Sequence, residues 1–380
     1  MTVPSISDLA ANISKQFSGE KIAVGVDIST KSVKAVVLNK KDNQIILENY
    51  SIARTKNPLI EIGNTGVINN FAGAVVKDSL ENAGIKNKIL NIAIPSFTSL
   101  IITIEVPHIA ENEFEEVIRR EVAKYIPVKI EDVIYDWQVI DEESLRMGVN
   151  QTTQDKGSEL RQSQNNNRMV KILVIAVMKE ISEQYSKVLE ENKLKVNLLE
   201  IDSISLTRAL TRNKDGVYLI LDIGHETSNM LIAANKSILI NRTIDIGGDK
   251  MTQVIADSMK ISFERADQIK KEQGVKISTP GSKDGVLETV LAILITEVKK
   301  TVQLFQSDFK GIEINGIILT GGAASMIGLK ETIQQKVGLE TLIGNALEGI
   351  AFRPEAKNAL LKHASSLSIA IGLALANFED

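Results

Sequence analysis

Two short segments far apart in the chain repeat one pattern, in which a β-branched apolar stretch runs into an aspartate and a polar turn. Residues 22–34 read IAVGVDISTKSVK, and residues 218–229 read YLILDIGHETSN. A tight turn after a strand points consecutive backbone N–H groups into a small concavity, and serine or threonine hydroxyls add donors for phosphate oxygens. The repeated pattern therefore predicts two like domains that hold one phosphate chain from both sides.

The polar residues of these turns are the candidate phosphate ligands. They are Ser29, Thr30, Lys31 and Ser32 in the first turn and Gly224, His225, Glu226 and Thr227 in the second. Asp27 and Asp222 end the two strands, where they are placed to hold a hydrated Mg²⁺ between them. Lys34 lies on the returning strand, from which its ammonium can reach the phosphates. One such unit alone is more often ordinary turn chemistry, but the pair favours a ligand site.

A third segment, INGIILTGGAASMIG at 314–328, predicts a buried strand, a Gly321-Gly322 turn and the start of a helix. Adjacent glycines let the backbone approach a flat ligand closely, and a helix N-terminus favours negative charge. A lone Gly-Gly after a strand is as often a plain loop between strand and helix. Three sites in this order favour a nucleotide-binding protein.

Composition narrows the class of protein. A length of 380 residues predicts at least two domains, and 43% hydrophobic with 24% charged residues is ordinary for a soluble globular protein. A formal net charge of −4 argues against nucleic acid as the main ligand, because duplex binding relies on basic patches. The chain has no cysteine, which excludes disulfides and thiolate metal sites. A metal would be held by carboxylates and phosphate.

Targeting and membrane signals are not predicted. Residues 1–20 carry Asp8 and Glu20 and lack a continuous apolar run, so they do not read as a signal peptide; they predict a short amphipathic helix. The longest uncharged stretch, 364–378, is 15 residues, short of the roughly 18 to 20 needed to span a bilayer. It is predicted to be a buried helix that closes the first half of the fold.

The elements that position the three turns follow one order in both halves. Residues 21–53 predict three consecutive strands, 64–84 a helix with Val67, Phe71, Ala74, Val75 and Leu80 on one side, and 89–95 a further strand. The second half predicts strands at 217–223, 228–234 and 237–245, then helices at 249–259 and 263–272. Strand triplets followed by helices are typical of α/β domains.

A separate module lies between the halves. Residues 111–125 carry a helical apolar stripe, and strands are predicted at 132–140 and 170–178. Residues 141–168 are rich in Gln, Asn, Ser and charge, which predicts a mobile loop between these strands.

In order and spacing, the three motifs resemble the phosphate-1, phosphate-2 and adenosine motifs of the actin, Hsp70 and sugar kinase superfamily. Within it the chain is most similar to the PilM family of type IV pilus assembly, which is related to FtsA. This likeness is carried by SVKAVVL at 32–38, VPHIAENEFEEVIRREVAKYIPVKIEDVIYDWQVI at 106–140, IDIGGDKMTQVIA at 244–256, ERADQIKKEQG at 264–274 and SLSIAIGLALA at 366–376. It implies an actin-like (ribonuclease H-like) α/β fold of duplicated domains with a 1C subdomain.

The resemblance also implies subdomain boundaries. They are an N-terminal segment at 1–20, subdomain 1A at 21–96 and 179–212, subdomain 1C at 97–178, subdomain 2A at 213–248 and 311–350, subdomain 2B at 249–310, and a closing helix at 351–380 that returns to 1A.

Family roles carry over residue by residue. The implied nucleotide-binding residues are Asp27, Ser29, Thr30, Lys31, Lys34, Gly224, Glu226, Thr227, Asp267, Lys270, Gly321, Gly322 and Ala323, with Mg²⁺ held by Asp27 and Asp222 through water. Asp267 and Lys270 stand where relatives use Glu-x-x-Lys; a solvated pair on a helix face is an equal alternative. Ser29 stands where many relatives have glycine. Glu226 is the one candidate for orienting an attacking water, and Asp249 is predicted to be a helix N-cap.

The resemblance implies a cytoplasmic protein that binds ATP and Mg²⁺, with slow or absent hydrolysis. It would be peripheral to the inner membrane through the cytoplasmic N-terminal tail of a PilN-like bitopic protein, which in the family lies in a groove between 1A and 1C. Other pilus platform proteins, or a second copy of the chain, are further possible partners. An FtsA-like membrane-associated filament protein is the alternative, disfavoured because no C-terminal amphipathic anchor follows the closing helix. A small-molecule kinase is the third, less favoured hypothesis.

Overall fold

A computed structural model describes residues 21–61, 66–107, 111–126, 128–142, 145, 169–234, 236–278 and 285–378. The predicted N-terminal helix at 1–20 and nearly all of the predicted loop at 141–168 lie outside these residues.

The strands of the described residues are numbered in chain order. They are β1 (Lys21–Ser29), β2 (Ser32–Lys41), β3 (Gln44–Arg54), β4 (Ile89–Ile94), β5 (Ser99–Pro107), β6 (Val133–Val139), β7 (Met169–Met178), β8 (Lys195–Ile201), β9 (Val217–Ile223), β10 (Ser228–Ala234), β11 (Ser237–Ile244), β12 (Gly316–Thr320), β13 (Thr341–Ile343) and β14 (Ala351–Phe352).

The α-helices are numbered in the same way. They are α1 (Ala72–Asn82), α2 (Glu111–Val122), α3 (Lys179–Glu190), α4 (Asp202–Thr211), α5 (Gly248–Met259), α6 (Phe263–Gln273), α7 (Glu288–Asp308), α8 (Leu329–Val337), α9 (Lys357–His363) and α10 (Ser368–Leu375).

Two sheets of like construction form two lobes. Lobe 1 is the six-stranded sheet β14-β3-β2-β1-β4-β8, and lobe 2 is the five-stranded sheet β11-β10-β9-β12-β13. In lobe 1, β1 is antiparallel to β2 and parallel to β4. In lobe 2, β9 is antiparallel to β10 and parallel to β12. The two hairpins therefore occupy equivalent places, as the repeated sequence pattern predicts.

The strands of both sheets are apolar on both faces, so helices must cover these faces to bury them. In lobe 1, α1 and α3 pack on one face and α4 and α10 on the other. In lobe 2, helices α5 to α8 pack on one face, and the opposite face shares a core with α4. This shared core joins the lobes behind the two hairpins.

The apolar C-terminal segment is a core element. Among the described residues, one helical run, Pro354–Phe378, has the length and composition to cross a membrane, and 61% of its most apolar window is buried inside the fold. Helix α10 lies so close to β1 that a Cβ added to Gly25 would stand 2.0 Å from the carbonyl oxygen of Ala370. Only glycine at this position allows the helix to approach the strand.

A third sheet, β5-β7-β6, packs with α2 and forms the module predicted between the halves; we call it the insert module. Strand β7 is central and antiparallel to both neighbours.

One predicted helix boundary is wrong. Helix α1 begins at Ala72 and not near residue 64, because the chain before it folds back: Glu61 N donates to Val67 O and Asn69 N donates to Leu59 O. The buried face of α1 includes Val76 and Leu80, whereas Ala74 is exposed. The predicted stripe is therefore correct for Leu80 and for Val75, which packs against the core, and wrong for Phe71 and Ala74, which are exposed.

Candidate functional site

The first hairpin turn places a buried ion pair at the end of β1. The β1–β2 register sets Asp27 opposite Lys34. Lys34 Nζ donates to Asp27 Oδ2 at 2.6 Å and to Ser29 Oγ at 2.9 Å, and Ser29 Oγ donates to the Asp27 carboxylate at 3.1 Å. Asp27 is only 3% exposed. Thr30 is also buried, and its carbonyl accepts from Leu59 N at 2.7 Å.

The second hairpin turn is fixed by the start of α5. Gly224 N donates to Thr227 O at 3.0 Å, which closes the turn between β9 and β10. Gly248 N then donates to Gly224 O at 2.9 Å, and Asp249 N donates to His225 O at 2.7 Å. The turn and the first residues of α5 therefore form one unit on lobe 2.

An ion-pair bridge joins the two turns across the cleft between the lobes. Lys31 Nζ of lobe 1 lies 2.7 Å from Asp249 Oδ2 and 3.1 Å from Glu226 Oε1 of lobe 2. His225 Nδ1 lies 3.5 Å from Asp249 Oδ1. Burial alone would raise the pKa of Asp249, but hydrogen bonds from His225 and Lys31 outweigh it and lower that pKa to about 2. The hydrogen bond with Asp249 in turn raises the pKa of Lys31.

The prediction that Asp249 is a helix N-cap is wrong. Gly247 is the N-cap residue of α5, and no side chain caps this helix. Asp249 lies inside the first turn, where a carboxylate is favoured by the helix dipole and is directed at Lys31. Gly247 is needed before this turn because a Cβ there would stand 2.4 Å from His225 O.

In the cleft, the negative charges of neighbouring carboxylates add to the effect of burial and raise the pKa of Asp222 and Asp202. Burial, followed by the charge of Asp202, raises the pKa of Asp222 to about 7, and the charge of Asp27 adds to this rise. Burial also raises the pKa of Asp202 to about 6, although hydrogen bonds from Ser96 oppose the rise. Ser96 N donates to Asp202 Oδ1 at 3.1 Å. The cleft therefore concentrates negative charge that a cation would relieve.

Asp202 is a candidate site residue that the sequence reasoning missed. It is the first residue of α4, far in sequence from both hairpins, and no motif marks it. The available signal was an acidic residue directly after the mostly apolar stretch VNLLEI at 196–201, which forms β8 and was not predicted to be a strand from the sequence.

The carboxylates do not form a metal cage by themselves. In the parts of the chain that the structure describes, no three His, Cys, Asp or Glu side chains are grouped closely enough to hold a metal ion. A hard divalent cation that keeps several waters and takes one or two carboxylates together with phosphate oxygens fits this arrangement better than a fully coordinated ion.

The raised pKa of Asp222 gives a pH-dependent stability. Its folded-state pKa of about 7 exceeds the ordinary value of 3.8, so ionised Asp222 disfavours folding above about pH 7, and this penalty disappears as the pH falls toward 4. We expect Asp222→Asn to raise the free energy of unfolding of the nucleotide-free protein by about 1 to 3 kcal/mol at about pH 8, and much less at about pH 5. Urea denaturation at the two pH values measures this. An equal effect at both would contradict the assignment.

The third turn lies against the second carboxylate. Gly321 has φ +89°, and a Cβ there would stand 2.3 Å from Asp222 Oδ1 and 2.5 Å from Ile223 O. Ala323 N donates to Ile223 O at 3.3 Å. A Cβ on Gly322, by contrast, would have no protein atom within 4 Å. This turn therefore leaves open space beside the end of β9.

The helix predicted to start at this turn begins later. Helix α8 starts at Leu329, and residues 321–328 form turns. The N-terminus of α8 is therefore not at Gly321-Gly322, so the dipole of this helix does not act at the third turn.

The predicted Asp267–Lys270 pair forms, and Lys270 is not a solvated side chain. Its Nζ lies 3.2 Å from Asp267 Oδ1 and donates to Gly248 O at 2.8 Å and Thr252 Oγ1 at 2.5 Å. Burial lowers the pKa of Lys270. A Cβ on Gly248 would stand 3.5 Å from this ammonium and 3.9 Å from the Cβ of Ala323. Helix α6 thus places Lys270 between the second and third turns.

A second concave site lies between lobe 1 and the insert module; we call it the insert groove. It is a cavity of about 230 Å³ lined by apolar side chains from both parts, among them Ile94, Ile134, Ile175, Val177, Ile201 and Ile204. Ser182, Ser186 and Glu190 of α3 line it at intervals of four residues. Strand β8, whose residues also line it, is an edge strand of the lobe 1 sheet among the described residues.

Comparison with protein families gives one match over nearly the whole chain. The family model described as type IV pilus assembly protein PilM matches residues 25–152 and 157–378. Cell division protein FtsA of Streptococcus pneumoniae is 22% identical over 362 residues, which cover 84% of this chain and 74% of that protein. FtsA of Bacillus subtilis is 27% identical over 138 residues, 31% of each chain.

Solved structures are similar in fold. A PilM-PilN type IV pilus biogenesis complex aligns with a TM-score of 0.77 and 21% identity, over 94% of this chain and 99% of that chain. MreB 5 of Spiroplasma citri bound to AMPPNP aligns with a TM-score of 0.52 and 14% identity, over 93% of this chain and 95% of that chain. The predicted actin-like α/β fold is thus confirmed.

Proposed function

The chain belongs to the PilM family of type IV pilus assembly proteins, and from this we propose that it is a cytoplasmic ATP-binding protein of the pilus assembly platform. In this proposal the cleft binds ATP with Mg²⁺, and the insert groove binds the cytoplasmic tail of a PilN-like membrane protein. The proposal that the cleft binds a nucleotide rests on the two equivalent hairpin turns that face each other across it. Ion pairs from Lys31 to Glu226 and Asp249 connect these turns.

The first and second turns would hold the phosphates and the third the adenosine. The proposed nucleotide ligands are Asp27, Ser29, Thr30, Lys31, Lys34, Gly224, Glu226, Thr227, Asp267, Lys270, Gly321, Gly322 and Ala323. Two features support the fit. The Oγ of Ser32 in the first turn is buried and has no hydrogen-bond partner among the described residues, and the space over Gly322 is open.

Asp27 and Asp222 would hold the Mg²⁺ through water, with Asp202 as a further acceptor for that water. The ion would supply positive charge between the carboxylates and the phosphates. Lys34 and Lys31 of lobe 1 add positive charge, Lys34 beside Asp27 and Lys31 where it reaches Asp249 of lobe 2. Without a cation, the phosphates would meet mostly carboxylates, so binding should require a divalent metal.

Hydrolysis is proposed to be slow or absent. Glu226 is the candidate for orienting water, but its carboxylate lies 3.1 Å from Lys31 Nζ and is engaged in the bridge. A nucleotide could then act as a structural cofactor, since a ligand that contacts both lobes stabilises the closed form in proportion to its differential affinity for it.

The insert groove suits an extended peptide. Apolar side chains on both walls offer pockets, and β8, which has no strand on its outer edge among the described residues, offers a place for an added strand to pair. Glu190, at the exposed end of the α3 row, favours a basic residue in the peptide. Cytoplasmic segments next to a membrane span are rich in lysine and arginine, which agrees with a membrane-protein tail as the occupant. The tail would recruit the protein to the inner membrane.

We expect Ser186→Arg to weaken binding of a PilN-like tail peptide by at least about tenfold, because the long side chain fills the groove and repels basic residues. Glu183→Arg adds the same side chain on an exposed position of α3 that does not line the groove, so it should leave affinity within about twofold. Fluorescence anisotropy with labelled peptide measures both. Equal affinities of the two variants would overturn the assignment of the groove.

A membrane-associated filament protein is the second candidate, because FtsA of Streptococcus pneumoniae matches 84% of the chain. Other proteins of the pilus platform and a second copy of the chain are also proposed as partners. Co-sedimentation with liposomes in the absence of any partner would favour the filament candidate, whereas co-sedimentation only with liposomes that carry the tail would favour the pilus role.

A further inference from the structure

The ion-pair bridge across the cleft joins two segments that are each fixed on their own lobe. On lobe 1, Thr55 N donates to the carbonyl of Lys31 at 3.0 Å, which holds the backbone of the first turn. On lobe 2, Asp249 N donates to His225 O at 2.7 Å, which holds the start of α5 on the second turn. The contact between the turns is therefore made by side chains.

Lys31 has two acceptors on lobe 2, and all three charged groups are partly buried. Its Nζ lies 2.7 Å from Asp249 Oδ2 and 3.1 Å from Glu226 Oε1. The side chain of Lys31 is 30% exposed, that of Glu226 29% and that of Asp249 21%. Salt screens partly buried charges less than exposed ones, so the bridge is stronger than an ordinary surface ion pair.

One ammonium group serves two carboxylates in this bridge. Although burial acts in the opposite direction, hydrogen bonds from His225 and Lys31 lower the pKa of Asp249 to about 2, so this carboxylate is ionised at neutral pH. Glu226 adds a second acceptor to the same lysine. A phosphate group that binds Lys31 must therefore compete with both carboxylates.

Lys34, the other lysine of the first hairpin, is placed differently. Its Nζ donates to Asp27 Oδ2 at 2.6 Å and to Ser29 Oγ at 2.9 Å, and both acceptors belong to lobe 1. Lys34 can therefore add positive charge to the cleft without giving up a contact to lobe 2. Lys31 can serve a ligand only by releasing the carboxylates of lobe 2.

We propose that Asp249 and Glu226 compete with the nucleotide for Lys31, and that the third phosphate of a nucleoside triphosphate is the group that displaces them. This rests on the proposed function. In the nucleotide-free protein the bridge holds the two lobes together. With the adenosine at the third turn of lobe 2, the phosphate that reaches Lys31 of lobe 1 is the last one. A nucleoside diphosphate leaves the bridge in place, so Lys31 distinguishes three phosphates from two.

Titrations with ATP and with ADP, each with Mg²⁺, test the competition. Asp249→Asn keeps the size of the side chain and removes the charge that holds Lys31. The Kd for ATP should fall by about fivefold or more, and the Kd for ADP should stay within about twofold. Asp257→Asn removes an exposed carboxylate of the same helix, one that accepts from Gln253, and should change neither Kd.

The outcomes separate the competition from the proposed function. If the unsubstituted protein does not bind ATP, the proposed function is contradicted. If it binds ATP and Asp249→Asn has the same Kd for ATP, or tightens ATP and ADP equally, the competition alone is overturned.

The Lys31→Met variant separates competition from simple repulsion between Asp249 and the phosphates. Without the lysine there is nothing to compete for, so adding Asp249→Asn to this variant should leave the Kd for ATP within about twofold. An equal gain in ATP affinity with and without Lys31 would overturn the proposal.

A measurement without nucleotide tests the hold of the bridge on the lobes. The chain has no cysteine, so Asn57→Cys on lobe 1 and Glu264→Cys on lobe 2, both at exposed positions, can carry a donor and an acceptor dye. Lys31→Met should lower energy transfer between the dyes because the lobes move apart. Lys300→Met removes an exposed ion pair with Glu297 inside α7 and should not change it. Equal transfer in Lys31→Met and the unsubstituted protein would overturn this role of the bridge.

Discussion

Replacing Lys34 with methionine is expected to lower the free energy of unfolding by about 3 to 5 kcal/mol, the usual effect of removing one partner of a buried ion pair. Asp27 is 3% exposed, and Lys34 is its only cationic partner among the described residues, at 2.6 Å. Methionine preserves most of the side-chain volume, so the loss reports the unpaired carboxylate and not a cavity. Urea denaturation followed by circular dichroism measures it.

The double variant Asp27→Asn with Lys34→Met separates destabilisation by the unpaired Asp27 carboxylate from destabilisation by the loss of the lysine side chain itself. It removes the buried charge along with its partner, so a large part of the stability should return. Neither variant should bind ATP, since both lack groups proposed to hold the metal and the phosphates. A loss below about 1 kcal/mol in the single variant would show that Asp27 is not held as a buried ion.

Replacing Gly321 with alanine is expected to disrupt the third turn and ATP binding together. Its φ of +89° disfavours any Cβ, and the added atom would stand 2.3 Å from Asp222 Oδ1. Strain of this kind should lower the free energy of unfolding by about 1 to 3 kcal/mol. Displacement of the Asp222 carboxylate should lower ATP affinity by at least about tenfold. Thermal unfolding and nucleotide titration measure the two effects.

Gly322→Ala is the matched comparison because the same methyl group there meets no protein atom within 4 Å. Its stability should stay within about 0.5 kcal/mol of the unsubstituted protein. If adenosine lies over this turn, the methyl group crowds the ligand, and ATP affinity should still fall by about tenfold. Normal affinity in Gly322→Ala would place the nucleotide elsewhere.

The parts of the fold that could be predicted from sequence are those set by local pattern. Both hairpins, strands β9 to β12 and helices α5 and α6 follow apolar stretches, turn residues and helical periodicity within short windows. The start of α1 could not be predicted in this way, because it depends on residues 66–69 pairing back with the chain near Leu59. Short windows of sequence do not specify this pairing between separate segments.

The site shows the same division. Asp27, Asp222 and Gly321 were predicted as site residues because each lies near the end of a strand or in a tight turn. The bridge from Lys31 to Asp249 joins residues 218 positions apart, and no local rule connects them. The contacts of β7 could not be predicted either: the sequence predicts a strand at 170–178, but only the structure shows that Leu173 lies in the lobe 2 core and Val177 in the lobe 1 core.

Isothermal titration of the purified protein with ATP and Mg²⁺, beside the Asp222→Ala variant, tests the central claim most directly. The account predicts binding of one ATP per chain to the unsubstituted protein with a Kd in the micromolar range or tighter, that is about −8 kcal/mol or below, and no detectable binding to the variant. Absence of binding to the unsubstituted protein at about millimolar ATP, or equal binding to both proteins, would contradict it.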